Sequence, residues 1–204
     1  MVKIRNKIIT LLLSLFLIPS ISIAQTKSGF GIEGGYAWVD TKAEENAQTI
    51  ANLSGRTTTV TYDKADLAGR IYGYYDFSNS FGLQIGYFKT ASLDQTHTNS
   101  AGSATISYDA TGIDLAGVFK PNNSGFFGKV GIHQSKVNGA ASATIGGTSY
   151  RLSAAGSGHG FLAGIGFESP IDKNMAWTFG VTYFDNLGGL SDANATFVSV
   201  GLKF

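Results

Sequence analysis

Apolar side chains recur at every second position along most of this chain, so the dominant period is two rather than 3.6. Phe30, Ile32, Tyr36 and Trp38 alternate with Gly31, Glu33, Gly35 and Ala37, and Leu67, Ile71, Tyr75 and Phe77 oppose Asp66, Arg70, Tyr72 and Asp76. Phe81, Leu83, Ile85 and Tyr87 alternate with Gly82, Gln84 and Gly86; Ile113, Leu115 and Phe119 alternate with Asp114 and Ala116. Phe126, Val130 and Ile132 oppose Lys129, Gly131 and His133, and Phe161, Ala163, Ile165 and Phe167 oppose Gly160, Gly164, Gly166 and Glu168. Trp177, Phe179, Val181 and Tyr183 alternate with Thr178, Gly180 and Thr182, and Val198, Val200, Leu202 and Phe204 alternate with Ser199, Gly201 and Lys203. Successive side chains of a strand point to opposite faces. These are therefore eight strands, each with one apolar face and one small or polar face.

The connections alternate as well. Short links fall at Asp76–Ser80, Lys120–Gly125 and Ser169–Asn174, rich in the Asn, Asp, Ser and Pro that favour turns. Longer links cover about 41–63, 90–106 and 135–152, with a fourth, shorter one at about 185–193. Alternating short and long links belong to an up-and-down sheet with two unlike ends.

Residues 1–24 read as a signal peptide. Lys3, Arg5 and Lys7 form a positive start, Ile8 to Ile18 an apolar stretch, and Ser22-Ile23-Ala24 a small-residue cleavage site. The apolar stretch is shorter than the roughly 20 residues a spanning helix needs. Removing three of the 15 Lys+Arg leaves 12 against 14 Asp+Glu, a formal charge of −2. That balance offers no basic excess for nucleic-acid phosphates. The chain has no cysteine, which excludes disulfides and thiolate-bound zinc. Its 12% aromatic content excludes a disordered chain.

An exported chain with a continuous apolar face must meet lipid or aggregate. The opposite faces carry mostly Gly, Ala, Ser and Thr, the reverse of a soluble barrel with an apolar lining. Aromatics cluster near the strand ends, as interfacial girdles do. Only closure into a barrel satisfies every backbone group in hydrocarbon. A membrane strand needs about 9–11 residues to cross, so a mature chain of about 180 residues accommodates eight strands and not sixteen. The expected fold is all-β: an eight-stranded antiparallel up-and-down transmembrane β-barrel over residues 25–204, in the outer membrane, with both termini periplasmic. A barrel of this size is filled by side chains rather than by a wide channel.

Three motifs carry a resemblance: Ala163-Gly164-Ile165-Gly166-Phe167-Glu168 followed by a turn and Trp177, Phe127-Gly128-Lys129-Val130-Gly131, and the terminal Val200-Gly201-Leu202-Lys203-Phe204. On these the chain resembles the outer-membrane β-barrel superfamily typified by the transmembrane domain of outer membrane protein A. The resemblance implies a Gram-negative-type outer membrane with lipopolysaccharide as surroundings. It also implies recognition of Val198, Val200, Leu202 and Phe204 by the barrel assembly machinery. No peptidoglycan-binding segment follows Phe204, so no cell-wall tethering is expected. Thr178, Gly180 and Thr182 stand inward where relatives often carry Arg and Glu, which implies a sparser interior charge network.

The inward charges are Glu33, Arg70, Asp114, Lys129 and Glu168. An isolated buried charge costs several kcal/mol, so these must pair. Glu33 and Arg70 lie on neighbouring strands. Asp114 and Lys129 flank the 120–125 turn, about two positions out of register, so Lys129 is expected among carboxylates with Asp114 closest and Glu33 and Glu168 as neighbours. One reading is a fixed plug of salt bridges; the other is a gate that swaps partners.

His97, His133 and His159 show neither metal-ligand spacing nor a serine–acid arrangement, so no catalytic residue, cofactor or metal site is expected. Gly146-Gly147 between alternating segments signals a hairpin, so its strands continue beyond the membrane. The sequence Ser-Ala-Thr-Ile occurs at both 103–106 and 142–145. The function expected is that of a non-enzymatic outer-membrane protein supporting envelope integrity or surface interaction, with host surface molecules as partners. A narrow channel for small solutes is the alternative, and an enzyme acting on lipid A the third reading.

Overall fold

The computed structural model describes residues 27–40, 59–63, 65–100, 102–121, 125–145 and 148–204. The segment expected to be a signal peptide, 1–24, and most of the first long link, 41–58, lie outside them. Among the described residues the strands are β1 (Lys27–Asp40), β2 (Thr59–Tyr62), β3 (Ala65–Asp76), β4 (Phe81–Thr90), β5 (Leu93–Asn99), β6 (Gly102–Phe119), β7 (Phe126–Ile145), β8 (Thr148–Pro170), β9 (Ala176–Phe184) and β10 (Asn194–Lys203). A short 3₁₀ turn, Leu187–Gly189, interrupts the last long link.

Eight of these strands close into a ring. β1, β3, β4, β6, β7, β8, β9 and β10 pair antiparallel in chain order, and β10 returns to β1 with Gly31 opposite Lys203 and Asp40 opposite Asn194. β5 and β2 are an outgrowth on the upper half of β6. β4 pairs Lys89 with Thr111, whereas β5 pairs Leu93 with Tyr108. The Ala91–Ser92 step thus places one extra residue against β6, a bulge that bends the sheet there.

Burial follows the alternation with its usual sense inverted. On β4 every odd residue is exposed and every even residue buried. Ile85, Val130, Phe161 and Ile165 are 64–70% exposed on the outer wall, while Glu33, Arg70, Gln84 and Asp114 are buried within. An apolar belt of this extent is stable only against lipid.

The short turns are held by local chemistry. Ser78 Oγ accepts from the N–H groups of Ser80 and Phe81, and Asp172 Oδ1 accepts from those of Asn174 and Met175. Gly125 takes φ +80°, and a Cβ there would lie 2.7 Å from the Glu168 carbonyl oxygen.

At the opposite end the strands outrun any bilayer. β7 and β8 have 20 and 23 residues, about twice the crossing length. They stay in register from Phe126 opposite Phe167 to Ile145 opposite Thr148, while Gly146-Gly147, where the turn was expected, lie outside the described residues. The repeated Ser-Ala-Thr-Ile segments meet here: Ser103 opposes Thr144 and Thr105 opposes Ser142.

Candidate functional site

The inward faces of the eight strands fill the lumen in three layers. The middle layer centres on Arg70. Its Nε and Nη2 donate to both oxygens of Asp114 at 2.9 and 2.7 Å, and its Nη1 donates to Gln84 Oε1 at 3.2 Å and to Glu33 Oε2 at 3.4 Å. The guanidinium also lies 4.6 Å from the Tyr72 ring centre. The Arg70–Asp114 pair reaches across β4. Gly86 makes this possible, because a Cβ there would come within 2.6 Å of Arg70 Nε and 2.7 Å of Asp114 Oδ2. A planar guanidinium held by two oxygens of one carboxylate is the strong form of ion pair.

The layer nearest the short turns is a tetrad. Lys120 Nζ lies 2.9 Å from Asp76 and 3.3 Å from Glu168; Lys203 Nζ lies 3.2 Å from each of the same two carboxylates. Lys203 also sits 3.9 Å over the Tyr74 ring, and the Tyr74 hydroxyl donates to the Phe204 carbonyl oxygen at 2.8 Å. Lys120 stands in the turn. Burial opposes its charge, but Glu168 and Asp76 outweigh burial and hold its pKa above the ordinary lysine value.

The third layer, toward the long strands, is apolar. Phe88, Phe184, Phe197, Leu162 and Leu187 are buried with Ala37, Ala110 and Ala195. Phe88 and Phe184 ring centres lie 4.7 Å apart, with His133 edge-on to both. The 185–193 link folds in as a lid. His133 Nε2 is 2.7 Å from the Asp185 carbonyl oxygen, and the Gly188 N–H donates to Ser135 Oγ at 2.8 Å. Leu187, 1% exposed, is the stopper. Gly188 and Gly189, at φ +64° and +76°, supply the left-handed backbone that turns it inward.

The structure brings Glu33, Arg70 and Asp114 together and places Glu168 in the separate tetrad. The expectation for Lys129 holds only in part: the charges of Glu33 and Asp114 act on it, but neither forms an ion pair with it. Lys129 is buried, but no carboxylate lies within ion-pairing distance of it among the described residues. Asp114 stands opposite His133 and Lys129 opposite Val118, four positions out of register rather than two, and Arg70 takes both oxygens of Asp114. Gly164 leaves room for the Lys129 side chain, whose Cε would lie 2.9 Å from a Cβ there.

Val198 and Val200 face outward, and Phe204 stacks on Phe30 at 4.9 Å, its N–H donating to the Phe30 carbonyl. His133 points into the lumen and His159 is exposed on the outer wall, while His97 lies on β5. Sequence reasoning missed the apolar layer and the lid. Paired apolar residues at strand ends, Tyr87-Phe88 and Tyr183-Phe184, and the glycine-flanked Leu187 were the available signal.

Residues 8–204 match the family described as outer membrane protein beta-barrel domain. Among solved structures, the chain is similar to Ail, the attachment invasion locus protein of Yersinia pestis, solved with the heparin analogue sucrose octasulfate. That match has 16% identity, covers 87% of this chain and 97% of Ail, and has a TM-score of 0.47. Neisserial surface protein A matches at 17% identity, 88% and 99% coverage and a TM-score of 0.44. OprG from Pseudomonas aeruginosa matches at 13% identity, 90% and 99% coverage and a TM-score of 0.42. No curated protein matches.

Proposed function

This chain belongs to the outer membrane protein beta-barrel domain family and resides in a Gram-negative outer membrane, and from that premise we propose that it is a plugged, non-enzymatic barrel supporting the envelope and presenting its long strands for surface interaction. The observation that carries this reading is the three-layer filling of the lumen, with Leu187 seated in the mouth by Gly188 and His133. Among the described inward groups, Glu33, Asp76, Asp114 and Glu168 stand with Arg70, Lys120, Lys129 and Lys203, and Asp66 shares the same face of β3, so the interior carries no large net charge of either sign. The β7–β8 hairpin, about twice as long as a crossing requires, is the part available to partners, host surface molecules included.

Planar-bilayer recording of the refolded chain tests the plug: the wild type is expected to be silent, and steady current from it defeats this reading. Shortening the hairpin symmetrically above Gly139 and Ala154, a cross-strand pair, should abolish surface binding while leaving the barrel folded. A narrow gated channel is the second reading. It is favoured by Lys129, a lumen cation without an ion-pair partner beside the Arg70 cluster, and the same recording discriminates it.

A further inference from the structure

Among the described residues of the apolar layer, His133 alone titrates in the physiological range. It is 2% exposed. Its Nε2 lies 2.7 Å from the carbonyl oxygen of Asp185, the first residue of the lid. A carbonyl can only accept, so Nε2 carries the hydrogen and Nδ1 the lone pair. Nδ1 is buried, with no hydrogen-bond partner among the described residues. Gly160 makes room for the contact: a Cβ there would come within 2.5 Å of His133 Nε2 and 2.9 Å of Asp185 Oδ1. Asp185 itself is hinged to β8, its N–H donating to the Phe161 carbonyl at 3.0 Å. His133 therefore fixes the carbonyl side of the hinge, from which Asn186 and Leu187 continue into the mouth. The second hold, from Gly188 N–H to Ser135 Oγ, lies two residues along the same inward face of β7.

We propose that His133 is an acid-sensitive latch: when it takes up a proton, the 185–193 lid is released and Leu187 leaves the mouth of the barrel. The proton can go only to Nδ1, where no acceptor waits, and the resulting imidazolium lies against the Phe88 and Phe184 rings. A buried charge is strongly disfavoured unless it is paired. On β6, Asp114 stands opposite His133, but both its oxygens already accept from Arg70. On β7, Lys129 is the second inward residue below and adds a like charge. In the lid, the Asp185 carboxylate accepts from the Phe161 N–H at 3.2 Å. On β8, His159 stands on the outer wall, and β4 and β9 bring only their phenyl rings. The protonated ring is better placed in water above the lid than beneath it. Because the open state binds the extra proton, falling pH favours opening. The charged layers below are untouched, so acid uncovers the apolar layer without opening a path through the barrel.

The test is hydrogen exchange at the Gly188 amide of the full chain refolded in lipid vesicles, at pH 7.5 and 5.5, corrected for the intrinsic rate, with β9 and β10 amides as the control. For an imidazole that titrates at about pH 6.5 in water, protection should fall by about tenfold between the two, while the control amides keep theirs. His133→Gln can still donate to the Asp185 carbonyl but cannot titrate, and should hold its protection across that range. Asp185→Asn and His159→Gln should respond to acid as the wild type does. Imidazole nitrogen resonances of the wild type should show Nδ1 gaining its proton over the same interval, a readout that needs no variant to fold. Four results would overturn the proposal: unchanged Gly188 protection in the wild type, an equal loss across β9 and β10, an acid response that survives in His133→Gln, or one abolished by Asp185→Asn. The latch rests on the plugged reading only for Leu187 as the stopper, and the two fail separately: current at neutral pH defeats the plug, and pH-independent protection defeats the latch.

Discussion

The two halves of the lumen solve one packing problem with opposite chemistry. The lower half is filled by ion pairs, Arg70 with Asp114 and Glu33, then Lys120 and Lys203 with Asp76 and Glu168. The upper half is filled by Phe88, Phe184, Phe197 and Leu187. Strands can supply only every second side chain to the interior, so the lower half draws on the wall and on one turn residue, Lys120, that directly follows β6. The upper half borrows a stopper from a loop. A charged layer depends on each partner being present, because removing one leaves the other buried and unpaired. An apolar layer loses only contacts and the filled volume when a side chain is cut back.

The largest effect should come from Arg70→Met. It strands Asp114 and Glu33, and urea titration in lipid vesicles should show a loss of about 3–5 kcal/mol. Adding Asp114→Asn to that variant should recover part of the loss; full additivity would show that the two side chains act independently. Phe184→Ala comes next, at about 3 kcal/mol in the same titration, and unlike Arg70→Met it should loosen the lid. Faster hydrogen exchange at the Gly188 amide would report this, and unchanged exchange would detach the lid from the aromatic layer.

Lys120→Met should cost about 1 kcal/mol, because the tetrad is partly solvated and both carboxylates keep Lys203. Its raised pKa means that its contribution is complete below the ordinary lysine value and is lost only as pH rises through the raised one. A stability profile that falls near neutral pH through this group would contradict the geometry. The smallest effect should come from Lys129→Met. It has no ion pair among the described residues, and an apolar side chain of similar size removes a buried charge. Stability should be unchanged or raised, and a loss larger than that of Asp114→Asn would restore the pairing expected from spacing.

The wall of this molecule was legible in its sequence and much of its filling was not. Ile85, Val130 and Ile165 declare the lipid face because alternation is local, and the short turns declare themselves through Asp172, Ser78 and Gly125. Glu33 and Arg70 were legible as neighbours because one strand pairing joins them directly. Arg70 and Asp114 are two strands apart, and their meeting depends on the length of an arginine and on the missing side chain at Gly86. For Lys129, counting across a turn missed the true register by two positions, enough to move an ammonium out of ion-pairing distance of Asp114. Leu187 lies in a link with no period, so nothing local distinguishes a stopper from a solvated loop residue.

The seam where Phe204 reaches Phe30 has a kinetic consequence. Gly31 pairs with Lys203, so the ring cannot shut until β1 and β10, its first and last strands, meet. Most other wall pairings join strands that follow one another, and their loops close early and cheaply. The first strand must therefore wait with one row of amides and carbonyls unsatisfied while the rest of the ring forms, a state prone to joining the wrong neighbour. Long-range closure of this kind slows folding. The time to completion should respond to changes at Gly31 and Lys203 more than to changes at any hairpin.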